Sequence, residues 1–355
     1  MQKYLKKEEK IIFSLRELYE QYGYRRYKMN KFEEYDFYAE NKQFLVSGNV
    51  ITFTDRGGRL MALKPDVTLS IARHHKDGVG VTRVYYNENV YRADADGEFR
   101  EIPQTGLECI GTADAYTVGE TVLLAVKSMA AIGRPFVLNI ADMGLVQKVV
   151  KALSLSEKAE KALYRAIESK SEAGVRAVCA EENADPATVC SLLALHGTLD
   201  AVLPTLKTLG CDTQELENIN AFLQAGGSAD TVQFDFSLLA DKEYYNGAVF
   251  CGYVEGVPAP VLSGGRYDGL MTKLGKKSGA VGFAVYLDRL ERLDTEKKEF
   301  DTDILLTYVD GDPVNACAVA EKLRSAGNRV CVVKTADGTV RARLVMDAKE
   351  ANVHA

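Results

Sequence analysis

Apolar and polar residues alternate with the two-residue period of extended strands over residues 82–91 and again over 99–110, on either side of the polar, glycine-containing ADADG at 93–97. This predicts strand, loop, strand. Upstream, residues 4–22 repeat apolar positions every three to four, with Leu5, Ile12, Leu15, Leu18 and Tyr19 on one side and Gly23 at the end, which predicts an amphipathic helix. Residues 41–53 and 59–63 read as strands around the DRGG turn at 55–58, and Asp66 and Thr68 precede a helix-like run.

Farther along, 115–132 predicts a helix and 135–140 a strand. From about 145 to 228 the period is helical throughout and the chain is rich in Ala, Leu, Glu and Lys, so an all-helical insertion is expected. Strand patterning returns in TVQFDFSLLADKEYYNGAVFCGYVEG, two strands joined near 245–247, and the core closes with 260–262, GGRYDGL and 280–292. A charged linker at 293–300 then leads to DILLTYV, PVNACAVAEKLRSAG and NRVCVVK, which form one β-α-β unit. The expected division is 1–296 and 297–355.

Composition narrows the function. At 355 residues the chain suits two or three domains, and its seven cysteines form no CxxC pair, which indicates neither zinc nor a disulfide framework. Only four histidines are present, so no metal is expected. There is no unbroken apolar stretch at the N-terminus and no 18-residue apolar run, so a cytoplasmic protein with no membrane contact is expected. A net charge of −6 argues against nucleic acid as a partner.

Candidate chemistry sits in the paired strands. Arg92 ends the first, and Arg100, Gln104 and Glu108 are spaced by four along the second, so an even period puts those three on one face. An arginine facing a carboxylate and an amide suits a zwitterion. The same pattern also describes an ordinary hairpin with a wet polar face.

Several segments resemble, in order, the histidyl members of the class II aminoacyl-tRNA synthetases. LKPDVT resembles the segment that binds the substrate amino group, VYR followed by FREIPQTGLECIG resembles motif 2, and LLADKEYYNGAVF resembles the histidine-specific box. SGGRYDGL is similar to the family's glycine-rich strand and AVGFAVYLDRL to motif 3, so the likeness covers roughly 1–295. YRRYKMNKFEEYDFY holds the place of motif 1, a dimer-forming element, with Asn30 where the family usually has proline. The resemblance implies an α+β fold. Its core would be an antiparallel sheet flanked by helices, with the helical insertion leaning over substrate or merely packing, and a small C-terminal α/β segment resembling a truncated anticodon domain.

By the same resemblance, the α-amino group of histidine falls to Asp66, Thr68 and Gln104 and its carboxylate to Arg92. The imidazole falls to Glu108, Tyr244 and Tyr267, with Tyr245 in the same histidine-binding set. The ATP parts depart from the family. Ile102 stands where an adenine-stacking aromatic is usual, Tyr286 where a small residue leaves room for adenine, and Ala240 where an arginine neutralises the phosphoryl charge, although Arg289 of motif 3 survives. An amino-acid site kept beside a nucleotide site lost resembles the regulatory subunits of ATP phosphoribosyltransferase. That family implies no catalysis by this chain and no cofactor. It implies a homodimer joined to the short-form catalytic subunit, required for its activity and transmitting feedback inhibition by histidine. The alternatives are a histidine–tRNA ligase with a divergent ATP site and a stand-alone histidine sensor.

Overall fold

The computed structural model describes residues 5–42, 45, 50–78, 80–93, 97–239, 244–290, 300–308 and 312–351. By internal contacts the chain divides into two compact units, Met1–Leu293 and Asp294–Ala355. The expected linker lies almost wholly outside the described residues, as does Ala240.

The first unit opens with helix α1 (Lys7–Gln21), strands β1 (Arg25–Arg26) and β2 (Phe32–Glu34), helix α2 (Tyr35–Glu40), and strands β3 (Thr52–Thr54) and β4 (Leu60–Leu63). Then come helix α3 (Val67–His74), the long strands β5 (Thr82–Ala93) and β6 (Phe99–Gly111), helix α4 (Ala115–Ala131) and strand β7 (Phe136–Asp142). The helical insertion holds α5 (Met143–Ala152), α6 (Glu157–Glu168), α7 (Glu172–Glu181), α8 (Ala187–Leu193), the two-residue β8 (His196–Gly197), α9 (Leu199–Thr208) and α10 (Gln214–Ala225). Strands β9 (Val232–Asp235), β10 (Ala248–Val254) and β11 (Leu262–Arg266), helix α11 (Asp268–Lys273), strand β12 (Gly279–Tyr286) and helix α12 (Leu287–Leu290) complete the unit.

Nine strands form one sheet in the order β1-β5-β6-β12-β11-β10-β7-β9-β8, antiparallel except at β1–β5 and β7–β9. The two strands read in TVQFDFSLLADKEYYNGAVFCGYVEG form as β9 and β10, but they are not neighbours, because β7 inserts between them. Of the strand expected over 41–53, residues 43–44 and 46–49 lie outside the described residues, and β3 (Thr52–Thr54) forms at its end. The DRGG turn forms as read: the Asp55 carboxylate accepts from the Gly57 and Arg59 amides, and Gly58 takes the left-handed φ of 79° that a side chain disfavours.

Two cores lie on opposite faces of the sheet, and strand alternation sorts side chains between them. Tyr85 and Leu107 join one core with Leu15 and Tyr19 of α1 and with α4, whereas Tyr86 and Ile110 join the other with Val67, Leu69 and Tyr267. Gln104 and Glu108 share the even-numbered face of Ile110, so the second core receives their polar groups in an otherwise apolar layer. Arg100, on the same period, is exposed near the strand end, opposite Arg92 in the β5–β6 register.

The insertion is amphipathic helix by helix. Leu163 and Ile167 are buried on α6, as are Leu216, Ile219 and Leu223 on α10. Helix α10 packs closely on α4: a Cβ at Gly119 would sit 2.5 Å from the Phe222 ring.

The second unit holds strand β13 (Thr302–Thr307), helix α13 (Pro313–Ser325), strands β14 (Val330–Val333) and β15 (Ala342–Asp347) and the short helix α14 (Ala348–Ala351). Asp312 caps α13 by accepting from the Val314 amide, with Pro313 at the first helical position. The sheet is parallel in the order β14-β13-β15. The expected β-α-β unit is therefore extended by a third strand, which RARLVMD conceals in sequence because its residues are mostly solvent-facing.

Candidate ligand-binding site

Helix α3 and strands β5, β6, β11 and β12 enclose a cavity of about 370 Å³ on the second-core face of the sheet. Asp66, Thr68, Arg92, Gln104, Glu108, Tyr244, Tyr245 and Tyr267 all line it. The structure thus brings together all eight residues proposed for the histidine site, from segments as far apart as 66 and 267, while Arg100, read on the same face of β6, does not line it.

The local fold explains their placement. Asp66 ends an extended segment and caps α3, its Oδ1 accepting from the Leu69 amide at 2.7 Å, which points Thr68 inward on the first turn. Arg92 donates from Nε to the Pro65 carbonyl at 2.8 Å, and its guanidinium lies 3.8 Å from the Asp66 carboxylate. Arginine and acid are thus anchored to the backbone segment that starts α3.

Glu108 is at the bottom. It is 1% exposed, and it accepts hydrogen bonds of 2.6 Å from the Thr68 hydroxyl at Oε1 and from the Tyr267 hydroxyl at Oε2. No basic side chain pairs with it among the described residues. Burial pushes its pKa up to about 8, with the two hydroxyl donors pulling in the opposite direction and nearby Asp66 adding to the rise. Burial also raises Asp66, and Arg92 opposes that most strongly.

Glycine keeps the floor open. Gly282 of β12 lies directly opposite Glu108, and a Cβ there would fall within 2 Å of Oε2, at 1.8 Å. Gly265 likewise yields to the Tyr245 ring, which a Cβ would meet at 2.8 Å. Tyr244 stacks at a tilt between Tyr245 and Tyr267, with ring centroids 4.6 and 5.7 Å away.

Two buried polar atoms here lack hydrogen-bond partners: Nε2 of Gln104 and the hydroxyl of Tyr86. Leaving a buried donor unmade costs about 1–3 kcal/mol, so both call for a ligand or water. As oriented, Gln104 offers an N–H donor, which suits a carboxylate; turning its amide over presents the oxygen to an ammonium instead. Sequence reading missed Tyr86, although its even spacing from Arg92 on β5 was a usable signal.

Other lining residues, Tyr286, Ser263, Arg289 and Pro260, are engaged with one another. The Tyr286 hydroxyl shares a hydrogen bond of 2.6 Å with Ser263 Oγ, and the Arg289 guanidinium lies over the Tyr286 ring, 4.3 Å from its centroid. Arg289 also donates to the Pro260 carbonyl. Ile102 does not line the cavity; it pairs across the strands with Val90 and packs against the second core.

A large antiparallel sheet flanked by helices, with an amino-acid-sized cavity built on its central strands, defines a class II aminoacyl-tRNA synthetase-like core. A family model described as histidyl-tRNA synthetase matches residues 2–290, and the chain belongs to that family. It is 28% identical over 340 residues to an ATP phosphoribosyltransferase regulatory subunit of Bacillus cereus, covering 89% of this chain and 79% of that one. It is 30% identical over 334 residues to a histidine–tRNA ligase of Pyrobaculum neutrophilum, covering 88% and 78%. Among solved structures, one titled ATP phosphoribosyltransferase regulatory subunit/histidyl-tRNA synthetase, from Bacillus halodurans, superposes with a TM-score of 0.79 at 26% identity, covering 96% of this chain and 93% of that chain. A chain of the ATP phosphoribosyl transferase complex from Thermotoga maritima matches with a TM-score of 0.63 at 20% identity over 79% of this chain and 97% of its own, a likeness of fold alone.

Proposed function

We propose that this chain is a non-catalytic, histidine-binding regulatory subunit of ATP phosphoribosyltransferase. It binds histidine, associates as a homodimer with short-form catalytic subunits, is required for their activity, and transmits feedback inhibition by histidine. Regulatory subunits and a ligase match the sequence about equally well, so overall likeness does not choose between them.

The observation that carries the choice is the contrast within one cavity. The residues proposed for the amino acid include a buried, unpartnered Gln104 Nε2, whereas Tyr286 is hydrogen-bonded to Ser263 and Arg289 lies over the Tyr286 ring. Arginine forks to a carboxylate, Asp66 and the Thr68 hydroxyl accept from an ammonium, and Glu108 accepts from an imidazole N–H. A guanidinium committed to a tyrosine ring and a carbonyl is poorly placed to meet a phosphate.

Dimerisation has its own support. On the small sheet β2-β4-β3, Phe32 and Phe53 meet edge to face with centroids 5.3 Å apart, yet Phe32 is 52% and Leu60 44% exposed. An apolar cluster left in water marks a contact surface, and Phe32 belongs to the segment that resembles the dimer-forming motif.

The test is co-purification with a short-form catalytic subunit, followed by activity assays with and without histidine. Activity only in the mixture, inhibited by histidine, is expected. A catalytic subunit indifferent to this chain contradicts the proposal. The second reading, a histidine–tRNA ligase, is favoured by the Pyrobaculum relative and requires histidine-dependent exchange of pyrophosphate into ATP.

A further inference from the structure

A second cavity in the first unit is larger than the one described above. It measures about 780 Å³ and lies where the helical insertion meets the sheet, between α5, α10 and the ends of β7, β10 and β11. Leu145, Val149 and Ile219 give it an apolar wall, and Asp142 and Glu215 give it an acidic floor.

The floor is short of positive charge. Glu215 accepts from the Ala248 amide at 2.7 Å and from the Arg266 guanidinium at 2.9 Å. Arg266 is shared with Asp268, at 2.7 Å, so one cation already serves two carboxylates. Asp142 ends β7 and caps α5, accepting from the Leu145 amide at 3.1 Å, but it has no ion-pair partner among the described residues although it is only 8% exposed. Ala248, whose amide donates to Glu215, pairs with Asp142 across β7 and β10, so both acids meet at this residue. Burial, and then the negative charge of Glu215, push the Asp142 pKa up to about 6, and exposed Lys148, which also lines the cavity, opposes the rise. A carboxylate this buried is costly without a counter-charge. No group of three or more His, Cys, Asp or Glu able to hold a metal ion occurs among the described residues.

We propose that this cavity is a second binding site, for a small primary amine with an apolar or aromatic body, its ammonium seated between Asp142 and Glu215 and its body against Leu145, Val149 and Ile219. The volume suits such a ligand, and the inference does not rest on the histidine reading of the other cavity.

The test uses the full chain and two probes of matched shape, 2-phenylethylamine and 3-phenylpropionate, followed by calorimetry at pH 7.5. The amine should bind saturably and the acid should not. Asp142→Asn keeps the helix cap, since asparagine caps as well as aspartate, and should weaken amine binding at least tenfold with the circular dichroism unchanged. Val149→Trp, which fills the cavity without altering charge, should abolish binding. Equal affinity for both probes, no saturable binding of the amine, displacement of the amine by histidine, or an unchanged affinity in either folded variant overturns the proposal. Should Asp142→Asn fail to fold, Val149→Trp decides alone.

Discussion

Tyr267 donates its hydroxyl hydrogen to Oε2 of Glu108 at 2.6 Å, joining residues 159 apart in the sequence at the bottom of one cavity. With Thr68 donating to the other oxygen, the carboxylate is held in place by neutral groups alone, with no ion pair among the described residues. That arrangement keeps an acceptor ready for an imidazole N–H.

Replacing that acceptor tests the arrangement directly. Glu108→Gln should weaken histidine binding by about 1–3 kcal/mol, because an amide leaves a buried ring nitrogen poorly matched. Calorimetry checks this. Unchanged affinity makes Glu108 an ordinary structural acid.

The same residue sets a pH dependence of stability. Its folded pKa of about 8 lies above its ordinary value, so the folded state holds more protons than the unfolded one between roughly 4.5 and 8. Stability from this group is fully present below the ordinary carboxylate range and is lost as pH rises through 8. Chemical denaturation at pH 6 and pH 9 should therefore show a larger drop in the unliganded wild type than in Glu108→Gln. Equal drops remove the assignment.

Much of this site was legible in the sequence because its residues sit at fixed offsets in strands. Gln104 and Glu108 share a face by period two, and Asp66 announces a helix start. What was not legible depends on strands distant in sequence. Gly282 faces Glu108 only because β12 pairs with β6, and the lock of Tyr286 on Ser263 needs the β11–β12 register. The sheet order of β9 and β10 was hidden for the same reason, since no local pattern shows that β7 will come between the two strands. Strand β15 escaped notice because a half-exposed edge strand has no clean alternation.

The engagement of Tyr286 and Arg289 with each other and with the wall predicts what the chain will not do. With Tyr286 held by Ser263 and Arg289 laid on its ring, the isolated chain should not exchange pyrophosphate into ATP when histidine is present. Ala240, which stands outside the described residues, adds the loss of an arginine expected from the resemblance. Robust exchange supports the ligase instead.

The most direct measurement is the histidine titration of ATP phosphoribosyltransferase activity in assemblies containing wild-type or Gln104→Ala chains. Gln104 is a cleaner choice than Arg92, whose bond to the Pro65 carbonyl also fixes the start of α3. We expect the Gln104→Ala assembly to form and to be active, with inhibition shifted to at least tenfold higher histidine, the factor for each ~1.4 kcal/mol lost. Coincident inhibition curves, together with calorimetry showing that the variant chain no longer binds histidine, would contradict the central claim and place the inhibitory site on the catalytic subunit.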